Sequence, residues 1–479
     1  MTRDIEQAND RSGRAPGAGP GDAARGERRY RFLVAGYALS SYGTFLNMVA
    51  LNLFVYETTG RALAMGLFMT VRLASGFVAG LVAGGLLARF AAKAVMLWTN
   101  VAQAAVMLLL VLAPQGARTA ALMSVSVVVG GCGTLFMVAL RSSIPEMVGE
   151  DRRSWANSLS ITGRSLAMVA GFASAGVVVS LVGYTAAFVV DMATFVVCAV
   201  TVALLPIAGG GKGGEKGKDA GGAPGAKGGK AGRRWRVPGA FLATAAVPGL
   251  GLMVVLRSVD ALGSSSHNAA LPVHSAALDD ARPAVFVSAF WCLWALGNVV
   301  AQQVIQRYAA RTGRSVGAAG FGYGTCLMSG AFILAFAGFP MAATAVIALV
   351  AGAADGLTEV SYTSHLQTLS PALRGHAFGL SATVENLGFG VGMIMVSAAL
   401  ESHRPLTVVA WSHGAAVVVA VVFLIRISAL RKRSAAPDAP NTPDAPSTPD
   451  VSDVSDVSNT PDAPGAPERF VAERDGRNR

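Results

Sequence analysis

Charge is what this chain has least of. Only 14% of its 479 residues are Asp, Glu, Lys or Arg, against about a quarter in a soluble domain. Aromatic residues are few as well, at 7%, and the apolar mass is Ala, Val, Leu and Gly. The four cysteines, Cys132, Cys198, Cys292 and Cys326, all fall inside apolar segments and at no metal-ligand spacing. Buried free thiols are expected, with no metal site. The phosphate-cradling Gly-Lys-Ser/Thr motif is missing, which argues against ATP drive within this chain. Gly-x-Ser-x-Gly and His-Glu-x-x-His are missing too, so no hydrolase is expected, nor any other enzyme or cofactor. A cleavable signal is not visible. Residues 1–30 are polar and rich in Gly and Arg, so the first apolar segment is expected to stay as an anchor.

Long apolar runs are what the chain has instead. They recur from about residue 32 to 427, each near the ~20 residues that cross a hydrocarbon core. Hydropathy predicts twelve spans at 32–55, 62–87, 93–113, 119–141, 155–181, 184–207, 239–263, 284–306, 316–337, 341–368, 375–400 and 405–427. The expected class is therefore an all-α polytopic membrane protein embedded in a lipid bilayer. Residues 1–31 read as a disordered arm, 32–207 as one six-helix bundle and 239–427 as a second. Between the bundles, 208–238 is a flexible Gly/Lys-rich linker, and 428–479 is a disordered Pro/Asp/Ser-rich tail.

The net charge of +11 suggests nucleic acid only until its distribution is read. Basic residues gather in alternate loops rather than in one stripe. Arg89 and Lys93 lie in the 2–3 loop, Arg152 and Arg153 in the 4–5 loop, and Arg307, Arg311 and Arg314 in the 8–9 loop. The arm, linker and tail are basic too. The opposite loops hold single arginines, Arg61, Arg118, Arg282 and Arg404. This is the positive-inside pattern, which places both termini in the cytoplasm of a cell-membrane protein.

The two halves echo one another. "LLARFAAKA" at 86–94 matches "VIQRYAART" at 304–312, and "RSWANSLSITGRSL" from Arg153 matches "RGHAFGLSATVENL" from Arg374. The second pairing sets Arg164 opposite Glu385. Parallel six-span repeats joined by a long linker are a transporter plan.

At "LNLFVYETTGRALAMGL", "LRSSIPEMVGEDRRSWANSL" and "LQTLSPALRGHAFGL" the chain resembles the major facilitator superfamily. Within it, these turns resemble the twelve-span exporters that include macrolide-efflux and enterobactin-export proteins. The resemblance implies two pseudo-symmetric six-helix bundles, a monomer, and alternating access to a small-molecule substrate with proton or sodium coupling. Export of a drug, siderophore or secondary metabolite by proton antiport is the implied function. A nutrient importer, or a non-transporting immunity or receptor protein on the same scaffold, is the alternative. Two departures stand out. The family's 2–3 loop carries an Asp between its Gly and Arg, where this chain has Gly84, Ala88, Arg89 and Lys93. The fifth span keeps Gly171 and Gly176 but lacks the Pro of the antiporter motif.

Ionisable residues inside spans mark functional sites by default. Asp355 and Glu359 sit four apart on span 10 and so share a face, an arrangement that destabilises a helix. The resemblance implies that spans 1, 4, 7 and 10 line the cavity, making both candidates for proton coupling or for a cationic substrate. Arg257 and Asp260 on span 7 are expected as a same-helix pair or as substrate contacts, and Asn47 on span 1 as a substrate contact or interhelical glue. Spans 2 and 11 touch across the halves in this family, which makes Arg72 the expected partner of Glu385. Arg164 is expected to face Asn298, Gln302 and Gln303 on span 8. Gly84, Arg89, Lys93, Arg307 and Arg374 are the candidate gating residues of the cytoplasmic loops. His267 and His274 are expected in the external 7–8 loop, and Asp191 as a local hydrogen-bonding residue.

Overall fold

The structure is a computed structural model that describes residues 20–149, 152–206, 249–313, 316–369 and 371–435. The helices are α1 (Pro20–Thr59), α2 (Ala62–Arg89), α3 (Ala92–Leu112), α4 (Arg118–Val148), α5 (Arg153–Val182) and α6 (Tyr184–Leu204). The second half contributes α7 (Leu250–Leu278), α8 (Pro283–Thr312), α9 (Ala318–Ala335), α10 (Met341–Gln367), α11 (Pro371–Leu400) and α12 (Pro405–Ala435). Helices are what apolar runs must form in lipid, where each backbone donor and acceptor has to be satisfied within its own segment. Polar side chains follow the same rule. Thr44 donates to the Ser40 carbonyl at 3.0 Å and Thr358 to that of Ala354 at 2.7 Å. The α5–α6 connection is the single residue Gly183, whose φ of 97° needs the freedom of glycine.

The helices up to Lys432 form one body; of the C-terminal segment Arg433–Arg479, only the end of α12 is described. In the first half α1 packs on α5 and α6, α2 on α4, and α3 on α4 and α6. The second half repeats this, with α7 on α11, and α8 and α9 on α10. Between halves the main contacts are α5 with α8 and α2 with α11, which the internal repeat relates to each other. Apolar drive is weak between helices in lipid, so close approach depends on small residues. A Cβ on Gly297 would lie 3.0 Å from the Ala353 nitrogen, and one on Gly352 would lie 2.8 Å from Trp294 Cα. Large apolar side chains such as Trp98, Leu181 and Leu204 point outward, each well over half exposed, as lipid-facing residues must.

One end of the bundle carries the α2–α3, α4–α5, α8–α9 and α10–α11 connections with their arginines and lysines; it is called the basic face below. Contacts between the halves concentrate at the opposite end. There Gly176 abuts Ser288, where a Cβ would be 2.8 Å away, and the Ser288 hydroxyl donates to the Phe172 carbonyl. On the other seam Thr70 donates to the Gly390 carbonyl at 3.2 Å. Gly66 lies against Met393 and Ser397, and the Leu63 N–H donates to Glu401 Oε1 at 2.9 Å. Toward the basic face α5 and α8 instead flank a cleft of about 700 Å³, lined by Arg153, Asn157, Thr162, Gln302, Gln303 and Gln306. The halves are thus closed at one end and parted at the other.

Among the described residues twelve helices agree with the hydropathy reading, but several boundaries do not. Span 7 was expected at 239–263 and is found at Leu250–Leu278. It is also the one of the twelve that fails a simple length-and-hydropathy test for crossing a membrane. His267 and His274 therefore lie inside a helix rather than in a loop. The expected disordered arm becomes helix from Pro20, and α12 runs past 427 to Ala435. Residues 1–19, 207–248 and 436–479, which hold the rest of the arm, the linker and most of the tail, lie outside the described residues.

Candidate functional site

Between the halves lies a cavity of about 400 Å³. Phe45 and Met48 reach it from α1, Arg164, Met168 and Phe172 from α5, and Arg257, Asp260 and His267 from α7. Trp291 and Trp294 on α8, Phe332 on α9, Asp355 on α10, and Glu385 and Phe389 on α11 complete the wall. The volume and the mixture of apolar walls with a few convergent polar groups suit a small organic ligand. The expected lining by spans 1, 4, 7 and 10 holds for three of them. From α4, Val129, Gly133, Phe136 and Met137 line a neighbouring cavity of about 270 Å³, which also meets Arg72, Asn100, Gln103 and Arg164.

Arg257 is the hub of the acidic wall. Its guanidinium contacts Glu359 at 2.9 Å, Glu385 at 3.0 Å and Asp260 at 3.7 Å, and lies 5.1 Å from the Tyr362 ring centroid. A second nitrogen donates to Glu385 at 3.3 Å, giving the forked geometry that suits arginine. Burying a guanidinium is costly, and only several close carboxylates offset that cost. The expected Arg257–Asp260 pair is therefore the loosest of the three. Glu385 is bound to Arg257 and not to Arg72: α11 packs against both α2 and α7, and the carboxylate turns to α7.

Asp355 and Glu359 share a helix face but not a partner. Glu359 takes Arg257, whereas Asp355 Oδ2 accepts from Asn298 Nδ2 at 2.8 Å. Asn298 Oδ1 in turn accepts from Gln302 at 2.8 Å. Asn298 and Gln302 thus serve α10 of their own half and do not face Arg164, as had been expected. Arg164 projects to the central cavity, 5.1 Å from the Phe45 ring centroid.

Asn47 lines neither cavity. It donates to Asp191 Oδ2 at 2.6 Å and so ties α1 to α6, the interhelical contact that was one of its two expected roles. Asp191 consequently holds another helix rather than its own turn. Lys93 contacts the carbonyls of Ala203 at 2.9 Å and Leu205 at 2.7 Å, capping α6 within its own half. Arg374 donates to the Leu369 carbonyl at 3.1 Å, again locally. Arg89 and Arg307 are exposed, and Gly84 has open space around it. Among the described residues none of these five bridges the halves, as the open basic face requires.

A group the sequence reading missed sits behind the cavity. His267 Nδ1 lies 3.1 Å from His413 Nε2, and His413 Nδ1 lies 3.1 Å from the Ser329 hydroxyl. The His267 ring stacks on Phe332 with centroids 3.5 Å apart. His413 interrupts the apolar run of span 12, and that interruption was the available signal.

The comparisons place this geometry. The family model for the Major Facilitator Superfamily matches residues 33–393. Among solved structures, the nucleoside transporter NupG is 14% identical, covering 83% of this chain and 98% of its own, with a TM-score of 0.59. A POT family transporter in complex with a thioalcohol-conjugated peptide is 11% identical, covering 84% and 96%, at 0.64. The POT family transporter PepTSo is 12% identical, covering 85% and 99%, at 0.60. No curated protein matches the chain.

Proposed function

The chain belongs to the major facilitator superfamily, and on that premise we propose that it is a secondary active exporter of a small amphipathic organic compound, driven by proton antiport. The observation that carries this reading is the cavity at the interface of the halves, with cross-half contacts at one end and a separate cleft between α5 and α8 toward the other. If the basic face is cytoplasmic, as its arginines and lysines require, the conformation is the one that loads substrate from inside the cell. Both termini then lie in the cytoplasm of a cell-membrane protein. Rocking of the halves about the cavity would part the seams at Ser288 and Gly66 and close the basic face.

Asp355 is the proposed proton carrier. Its hydrogen-bond partner is the neutral amide of Asn298, so it can take a proton without breaking an ion pair. Glu359 and Glu385 are engaged by Arg257 and set the field around it. Asp355→Asn is expected to abolish gradient-driven uptake into inverted vesicles while leaving substrate exchange measurable. Gradient-driven uptake with wild-type pH dependence in that variant removes the assignment. Sodium in place of the proton would show as uptake that follows a sodium gradient.

Direction is tested in the native host by mass-spectrometric comparison of medium and cell extract with and without the gene. A compound lost from the medium and enriched in cells supports export. A medium component consumed only when the gene is present supports the second reading, import of a small nutrient, for which the same cavity would serve.

A further inference from the structure

The ionisable groups facing the cavity are sorted by half. The first half contributes Arg164, and Arg72 stands beyond it in the adjoining cavity. The second half contributes Asp260, Asp355 and Glu385 around Arg257. Arg257 is already occupied by Glu359 and Glu385 at 2.9 and 3.0 Å. Among the described residues Arg164 has no carboxylate within ion-pair distance, and its neighbour is the Phe45 ring. In the other half the hydrogen-bond partner of Asp355 is the Asn298 amide.

Two polar side chains of the wall are not fully paired. Asp260 is 5% exposed and lines the cavity, yet its Oδ1 has no hydrogen-bond partner. Trp294 Nε1, on another wall of the same cavity, is a buried donor without an acceptor. Buried polar atoms left unpaired are costly, and a cavity with opposite charges on facing walls sets up a directional field.

We propose that the cavity takes a zwitterion, with an anionic group at Arg164 and a cationic amine at Asp355 and Asp260. The apolar body of the ligand packs on Trp291, Trp294 and Phe332. This rests on the transporter reading above and narrows its substrate class. A purely cationic compound would leave Arg164 facing it across a desolvated space; a purely anionic one would face three carboxylates. A dipolar ligand satisfies both walls and leaves the net charge of the cavity unchanged.

The test uses the purified full-length protein and the four charge forms of one aromatic dipeptide, Phe-Phe. These are the free zwitterion, the C-terminal amide (a cation), the N-acetyl form (an anion) and the N-acetyl amide (neutral). Binding is followed by intrinsic Trp fluorescence in a variant whose other four tryptophans, Trp98, Trp155, Trp235 and Trp411, are replaced by Phe, so that Trp291 and Trp294 carry the signal. The zwitterion should bind about 10- to 100-fold tighter than either singly charged form, the effect of one charged hydrogen bond. Arg164→Gln should erase the zwitterion's advantage over the amide alone, and Asp355→Asn its advantage over the N-acetyl form alone. Equal or tighter binding of the cation, or no binding of any form, overturns the proposal. Whichever form binds is then offered to proteoliposomes. Transport of a cation or neutral form sinks the zwitterion but keeps the transporter; a zwitterion that binds without crossing does the reverse.

Discussion

Replacing Arg257 by Gln should destabilise the protein more than any other single change among its ionisable residues. The guanidinium is the counter-ion of three carboxylates, and removing one partner of a buried pair costs about 3–5 kcal/mol. Glu359 and Glu385 keep 49% and 44% of their side-chain surface exposed, so water in the cavity replaces part of what they lose. Asp260, at 6%, has no such relief. Discounting the two exposed partners leaves about 3 kcal/mol, on the order of a 100-fold shift in the unfolding equilibrium. Denaturant titration in detergent micelles measures it. The companion variant carries Arg257→Met with Asp260→Asn, Glu359→Gln and Glu385→Gln. It leaves none of the cluster's four charges unpaired, so it should recover to within about 1 kcal/mol of the parent, since neutral replacement of a buried ion cluster is often tolerated. A single variant that loses less than about 0.5 kcal/mol refutes the reasoning. So does a neutralised cluster as unstable as the single variant, for then packing rather than charge is what Arg257 supplies.

Three further outcomes follow from the packing. Gly352→Ala pushes a methyl into the Trp294 backbone and should cost about 1–3 kcal/mol or more, while Gly84→Ala, with open space around it, should not lower the thermal midpoint; equal effects would refute the close α8–α10 contact. His413→Phe keeps a ring but leaves His267 and Ser329 without their partner, so it should cost about 2–4 kcal/mol, with partial rescue by His413→Gln; an unchanged unfolding curve argues against the chain. Glu401→Ala removes the carboxylate that accepts from Leu63 N–H at the start of α2, an interaction of about 0.3–1 kcal/mol. An impermeant maleimide added at the end opposite the basic face should then label Ser264→Cys roughly two- to five-fold faster in a cysteine-free background. No change in rate would mean that the contact does not help hold that end shut.

The sequence carried the helix count and the two-bundle plan because both rest on apolar length and on repetition. It misplaced α7 for a physical reason. The stretch "GSSSHNAALPVHSAA" is polar by composition, yet its hydroxyls and amide are spent on their own helix. Ser265 donates to the Leu262 carbonyl at 2.6 Å, Ser266 to Gly263 at 2.6 Å and Asn268 to Ser264 at 2.9 Å. A hydropathy sum charges those groups as if they were unpaired. What was legible was which ionisable residues come together, since Asp355, Asp260, Arg257, Glu385 and Arg164 all line one cavity. Which of them pair was not legible. Partner choice depends on helix rotation, and a turn of about 100° per residue is enough to send Glu385 to α7 instead of α2. Asn47 was left between two readings because both place an amide at mid-membrane, and the position of Asp191 is what the sequence does not give.

The seam that seals the bundle opposite its basic face has a consequence for where such a protein can work. Its cross-half contacts are a glycine under a serine, a hydroxyl on a carbonyl, and a single carboxylate on a helix start. Dissolved ions screen charges at a distance but do not weaken packed surfaces. The balance between the sealed and open states should therefore be nearly indifferent to the salinity on that side of the membrane.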